Sequence, residues 1–145
     1  MPIATLGGHI VAGRRMLPDE VVLANYLGEV DDVSTYQFTT IKPVYCYSGD
    51  GSSTDNTGRR KNDSATLFIF DKASKAYDSD GNVREYIDHT LWKALPDKSG
   101  FWTLDDGGRD YFRKIGIPDR EYRITSFQKL KAGSPRMWHF EVTGR

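Results

Sequence analysis

Residues 21–47 read VVLANYLGEVDDVSTYQFTTIKPVYCY, and this stretch decides the fold. VVLANYL (21–27) is dense in branched and aromatic side chains, which suit a pleated, half-buried surface. Gly28-Glu29-Val30-Asp31-Asp32 then carries turn chemistry. From Ser34 to Tyr47 the strand texture resumes, with Tyr36, Phe38 and Thr40 alternating with Gln37, Thr39 and Ile41. Two β-type runs around a Gly/Asp turn predict a hairpin. Pro43 has no amide donor for a ladder, so an edge position or a bend is expected there.

Outward from the hairpin the same texture recurs in short runs. ATLFIFD (65–71) is an apolar run bounded by polar clusters. VREYI (83–87), FWTL (101–104), RDYFRKIGI (109–117), EYRITSFQKL (121–130) and MWHFEVTG (137–144) are further strand candidates. Tyr122, Ile124 and Ser126 fall on one face of their strand by parity, and Trp138, Phe140 and Val142 on one face of theirs. KASKAYDSDGN (72–82) is polar and ends in an Asp-Gly hairpin turn. Read as a calcium loop aligned on Gly81, it would put Ala76 and Ile87 where carboxylates are needed, so calcium is not expected. One helix is predicted: Asp88 is a suitable N-cap, HTLWKAL follows, and Pro96 closes the segment. Leu91, Trp92 and Leu95 would seat it. Short strands at this spacing with one short helix describe a mainly β fold, a small antiparallel β-barrel or sandwich. Residues 21–145 form the expected single domain, and 1–20, rich in Gly and Pro, an extended N-terminal arm. SGDGSSTDNTGRRKNDS (48–64) holds no apolar side chain to offset the entropy of ordering, so a long, mobile, projecting loop is expected. Its Arg59, Arg60 and Lys61 are candidates for contact with an acidic partner, although a solvated charge run is the simpler account.

Composition narrows the function classes. The 145 residues carry 20 Lys+Arg against 20 Asp+Glu, for zero net charge, which argues against a dedicated DNA-coating protein. Surface scaling allows roughly two-thirds of the unfolded surface to be buried, enough for a core without staples. A single cysteine, Cys46, excludes an internal disulfide and a cysteine-based zinc site. Cys46 lies in VYCY and reads as a small buried hydrophobe. No basic segment followed by an apolar stretch opens the chain, and no window approaches a membrane span, so a soluble protein of a reducing cytoplasm is expected.

Candidate chemistry is sparse. His9, His89 and His139 are too far apart in sequence for a local metal motif. His89 reads as a first-turn surface residue, and His139 as an exposed residue facing away from Trp138 and Phe140. The pairs Asp31-Asp32 and Asp105-Asp106 fall at turns, where Asp is favoured for local hydrogen bonding. No nucleophile elbow or phosphate loop occurs, so neither an enzyme nor a bound cofactor or metal is expected. Residues 107–145 carry nine basic against four acidic side chains. With Tyr111, Phe112 and Tyr122 nearby, this admits an alternative, an OB-like single-stranded nucleic-acid binder using Arg113 and Arg123.

The run YIDHTLWKALPDKSGFWTLDDGG (86–108), a strand, and then YRITSFQKLKAGSPRMWHFEVTGR (122–145) carry a pattern of their own. Its marks are W-x-x-L near a proline, the WTL strand opening, and the ending Gly-Ser-Pro-x-x-x-His-x-x-Val-x-Gly. With the 21–47 hairpin, this order resembles small neck proteins of tailed phages and prophages of Gram-positive bacteria, the minor capsid or head–tail connector proteins. The resemblance covers about residues 21 to 145. It implies a structural virion protein: a β-barrel subunit of a homo-oligomeric ring that completes the head as a stopper between portal or adaptor and tail. A tail terminator or other neck position is the near alternative. The implied partners are identical subunits, portal or adaptor and tail proteins, and DNA passing without sequence-specific binding, with no membrane. The implied place is the virion neck, and the host cytoplasm during assembly. Ile3, Leu6, Ile10 and Val11 are then candidates for an inter-subunit arm, and Arg59, Arg60 and Lys61 for an assembly or channel loop.

Overall fold

The computed structural model describes residues 17–48, 64–117 and 120–145. The expected arm residues Ile3, Leu6, Ile10 and Val11 and the loop residues Arg59, Arg60 and Lys61 lie outside the described residues. The strands are β1 (Asp19–Val30), β2 (Val33–Ser48), β3 (Ala65–Phe70), β4 (Lys75–Tyr77), β5 (Val83–Tyr86), β6 (Phe101–Trp102), β7 (Tyr111–Lys114), β8 (Tyr122–Leu130) and β9 (His139–Gly144). A short helix, α1 (His89–Ala94), lies between β5 and β6. The fold is mainly β, as the texture of the sequence predicts.

Hydrogen-bonded neighbours run β1–β7–β8–β9–β3–β2, and β2 pairs back with β1, so these six strands close on themselves as an antiparallel barrel. Closure removes the open edges that a small sheet would otherwise expose. β4, β5 and β6 extend from β2 as a flap, with β5 and β6 paired in parallel. Val21, Leu23, Ile41, Val44, Leu67, Phe112, Ile124 and Val142 fill the core, each essentially without solvent contact.

The β1–β2 hairpin is the dominant element, with strands of 12 and 16 residues. Its turn is narrower than the Gly28–Asp32 segment suggests. Val30 opposes Val33, leaving Asp31 and Asp32 as a two-residue loop with φ of 53° and 65°. A primed hairpin turn demands this left-handed backbone, which Asp tolerates better than most residues.

At Pro43, β2 changes partner. β4 lies opposite Thr40–Lys42 and β3 opposite Tyr45–Ser48, along one edge. The ladder to β1 shifts register at the same place, so the inward set switches from Thr39 and Ile41 to Val44 and Cys46. Ser74 closes the join, accepting from the Phe70 N–H at 3.0 Å and donating to the Pro43 carbonyl at 2.6 Å. The polar stretch 72–82 therefore contains a strand, β4, that its composition conceals. Its Asp-Gly turn is present: the Asp78 carboxylate accepts from the Asp80 and Asn82 amides.

Two further expectations are corrected. A register shift between Ile124 and Ser126 reverses side-chain parity in β8, so Ser126 is exposed and Phe127 packs against the core in its place. In α1, Asp88 is the N-cap, its carboxylate accepting from the Thr90 amide, but Leu91 is 58% exposed. Trp92, 2% exposed, is the buried residue of this helix. A six-residue helix presents one side chain squarely to the barrel, and the larger one takes that position.

Candidate functional site

The feature that distinguishes this barrel is the outer half of its hairpin. β1 pairs with β7 only from Val21 to Ala24, yet stays paired with β2 as far as Val30. Residues 25–30 and 33–37 therefore continue past the β1–β7 pairing as a two-stranded ribbon, with buried Asn25 at its base and Phe38 at its foot opposite Ala24. Along it Leu27, Val30, Val33 and Phe38 are 48, 60, 62 and 51% exposed. Glu29, Asp31 and Asp32 are exposed beside them, and residues 26–37 contain no basic side chain. These exposed apolar side chains on a solvated ribbon make it the candidate interaction surface.

The base of the ribbon is pinned by buried polar groups. Asn25 and Asp110, both fully buried, meet at 2.8 Å through Asn25 Nδ2 and Asp110 Oδ2. Asp110 Oδ1 accepts from the Tyr26 N–H at 2.8 Å. Asn25 Nδ2 also donates to the Thr103 carbonyl at 2.8 Å, and Asn25 Oδ1 accepts from the Thr103 N–H at 3.3 Å. Burial pushes the Asp110 carboxyl from 3.8 up to about 6, against the lowering effect of the Tyr26 and Asn25 hydrogen bonds. On the other strand, Gln37 Nε2 donates to the Phe101 carbonyl, and Arg84 Nη1 to the Phe38 carbonyl and Thr39 Oγ1. Tyr36 packs edge-on against Tyr26 and Tyr111, and the Arg109 guanidinium lies 4.6 Å from the Tyr26 ring centre. The ribbon thus leaves the barrel in one fixed direction.

Beside this base lies a cleft of about 490 Å³ lined by Tyr26, Leu27, His89, Trp92, Asp105 and Asp110, with Lys93 and Lys98. His89 Nε2 is 3.7 Å from Asp105 Oδ1, and its ring stacks on Trp92. His89 is therefore a partly buried partner of a carboxylate, not the plain surface residue its helix-start position suggests. Among the described residues lining this cleft there is no Ser, Thr or Cys.

The other singled-out residues separate. Asp31 and Asp32 form the ribbon turn. His139 is also not plainly exposed: it is half-buried, stacks on Phe70 at 4.9 Å, and its Nε2 is 3.6 Å from Glu141. It is not among the residues that line the cleft at His89. Cys46 is a free, buried thiol, pushed up to about 11 by burial. Of the aromatic residues offered for base stacking, Phe112 and Tyr122 are buried in the core, and only Tyr111 reaches the outer face. Arg123 Nη1 donates to the Gly108 carbonyl. Among the described residues no group of three or more His, Cys, Asp or Glu could hold a metal ion, and no helix is long and apolar enough to cross a membrane.

The sequence reading missed Asn25 and Asp110. A usable signal existed for one of them: Asn25 shares strand parity with Val21 and Leu23, so it is a polar residue in an inward position.

A family model described as a family of unknown function (DUF6751) matches residues 17–145, and the chain belongs to that family. No curated protein and no solved structure matches the chain.

Proposed function

We propose that the protein is a structural assembly subunit, a head–tail connector (neck) protein of a tailed phage that completes the head between portal or adaptor and tail. The observation that carries the reading is the ribbon: a rigid barrel holds an apolar, acidic two-stranded projection clear of its own core. A subunit that works by joining neighbours needs a stiff body and a preformed reaching element, because ordering a flexible one on assembly would cost affinity. The resemblance of residues 21–145 to neck proteins supplies the context, with identical subunits, portal or adaptor and tail proteins as partners. Zero net charge suits a ring through which DNA slides without being held. In this reading the protein resides in the virion neck, after assembly in the host cytoplasm. A tail terminator uses the same features, and the test separates the two positions.

The test is removal of the gene from the phage or prophage that carries it, with electron microscopy of the particles and of wild-type virions labelled on this protein. The expected result is label at the neck and, without the gene, filled heads that lose DNA and lack tails. Complete heads carrying no tails, beside free tails of irregular length, would point to the terminator position. Infectious virions that lack the protein altogether would end the proposal.

A further inference from the structure

We infer that the ribbon tip of one copy seats in a basic-rimmed cleft of the next copy, so that subunits join head to tail. The inference rests on the assembly reading above and names the contact. The cleft, about 330 Å³, opens between the flap and the barrel. Its floor is apolar, made by Ile69, Trp102 and Phe140 with the Tyr86 ring packed against the last two. Lys75, Arg84 and Lys129 stand on its rim with Asp71 and Glu85, an excess of one positive charge, and Lys129 and Asp71 pair with each other at 2.9 Å.

The tip is the complement of this cleft. Val30 and Val33 are its most exposed large apolar side chains, and Glu29, Asp31 and Asp32 are its charges. An apolar pair with three carboxylates fits an apolar floor with a basic rim, and charge pairing fixes the orientation. The occupant is a second copy because the tip cannot fold back. Arg84, on the cleft rim, binds the Phe38 carbonyl of its own ribbon, and Val33 lies five extended residues beyond Phe38, about 17 Å further out. Tip and cleft are different surfaces, so each copy uses one and leaves the other free. Such heterologous contacts close into a ring or continue as a filament.

The test is sedimentation velocity of the full chain over a range of concentrations at low and high salt, with two charge-reversed variants. Asp31→Lys/Asp32→Lys reverses the tip, and Lys75→Glu/Lys129→Glu reverses the rim. Wild type is expected to associate, less so at high salt, and each variant alone at least about tenfold more weakly, since like charges then face each other. An equimolar mixture of the two variants restores both kinds of contact and is expected to associate again, which a merely misfolded variant would not do. A monomeric wild type, or variants that stay apart when mixed, overturns the contact. Wild-type oligomers that ignore both reversals also overturn it while leaving the assembly reading intact, since that reading falls only with the virion experiment.

Discussion

Asp110→Asn tests the buried anchor of the ribbon. The Asp110 carboxyl has two opposed influences: burial favours its neutral form, and the N–H donors of Tyr26 and Asn25 favour its charged form. Burial wins, giving about 6 in the folded state against 3.8 for the free group. A carboxyl that holds its proton more tightly when folded stabilises the native state at low pH. That contribution is complete below about 3.8 and disappears as pH rises through about 6. The full span is about 3 kcal/mol, of which about 2 kcal/mol lies between roughly pH 4.5 and 7.5.

The variant has its own fixed cost. Asn25 already aims its second amide hydrogen at Asp110 while its other polar contacts go to Thr103, so an Asn at 110 can accept from Tyr26 or from Asn25 but not from both. Loss of one such bond costs about 1–3 kcal/mol at any pH. Urea unfolding of both proteins at about pH 4.5 and 7.5 separates the two effects, because groups shared by both proteins cancel in the difference. Asp110→Asn is expected to be destabilising, and more so at the lower pH by about 2 kcal/mol. A penalty that is the same at both pH values, or larger at the higher one, refutes the claim that burial outweighs the hydrogen bonds.

Other outcomes follow from single contacts. A Cβ at Gly144 would come within 2.8 Å of Phe112 Cε1 and Tyr122 Cβ, so Gly144→Ala should lower stability by about 1–3 kcal/mol in thermal or urea unfolding. Asp32→Gly, at φ 65°, should raise stability by up to about 1 kcal/mol by relieving the left-handed turn; a loss would show that the aspartate makes a compensating interaction. Trp92→Ala should cost about 3–5 kcal/mol, because the helix loses its buried side chain, whereas Leu91→Ala should change little. Cys46, buried and with its thiol pushed up to about 11, should react with a thiol reagent near pH 8 far more slowly in the native protein than in urea.

The hairpin and helix were legible because their signals are local. Alternation from Tyr36 to Ile41, the Asp31-Asp32 turn and the Asp88 cap each act within a few residues of chain. β4 was hidden because three residues in a polar stretch carry no periodicity, and their strand geometry comes from pairing with Thr40–Lys42. Parity alone puts Ser126 on the inward face because it assumes an unbroken ladder, and the bulge that breaks it arises where β8 passes from one neighbour to another. Local sequence leaves His89 and His139 looking exposed because nothing near them in sequence announces Asp105 or Phe70.

By itself the sequence determined the β class, the hairpin, the Asp88-capped helix and the apolar positions of most strands, since side-chain period and turn chemistry depend on neighbours along the chain. Tertiary structure alone decided that β1 also pairs with β7 and β2 with β3, which closes the barrel, and that Phe112 and Tyr122 turn inward while Phe38 stays out. It also decided that Asn25 meets Asp110 across 85 positions to fix the ribbon. Those outcomes depend on which strands become neighbours, and burial and hydrogen bonding at long range are properties of that choice.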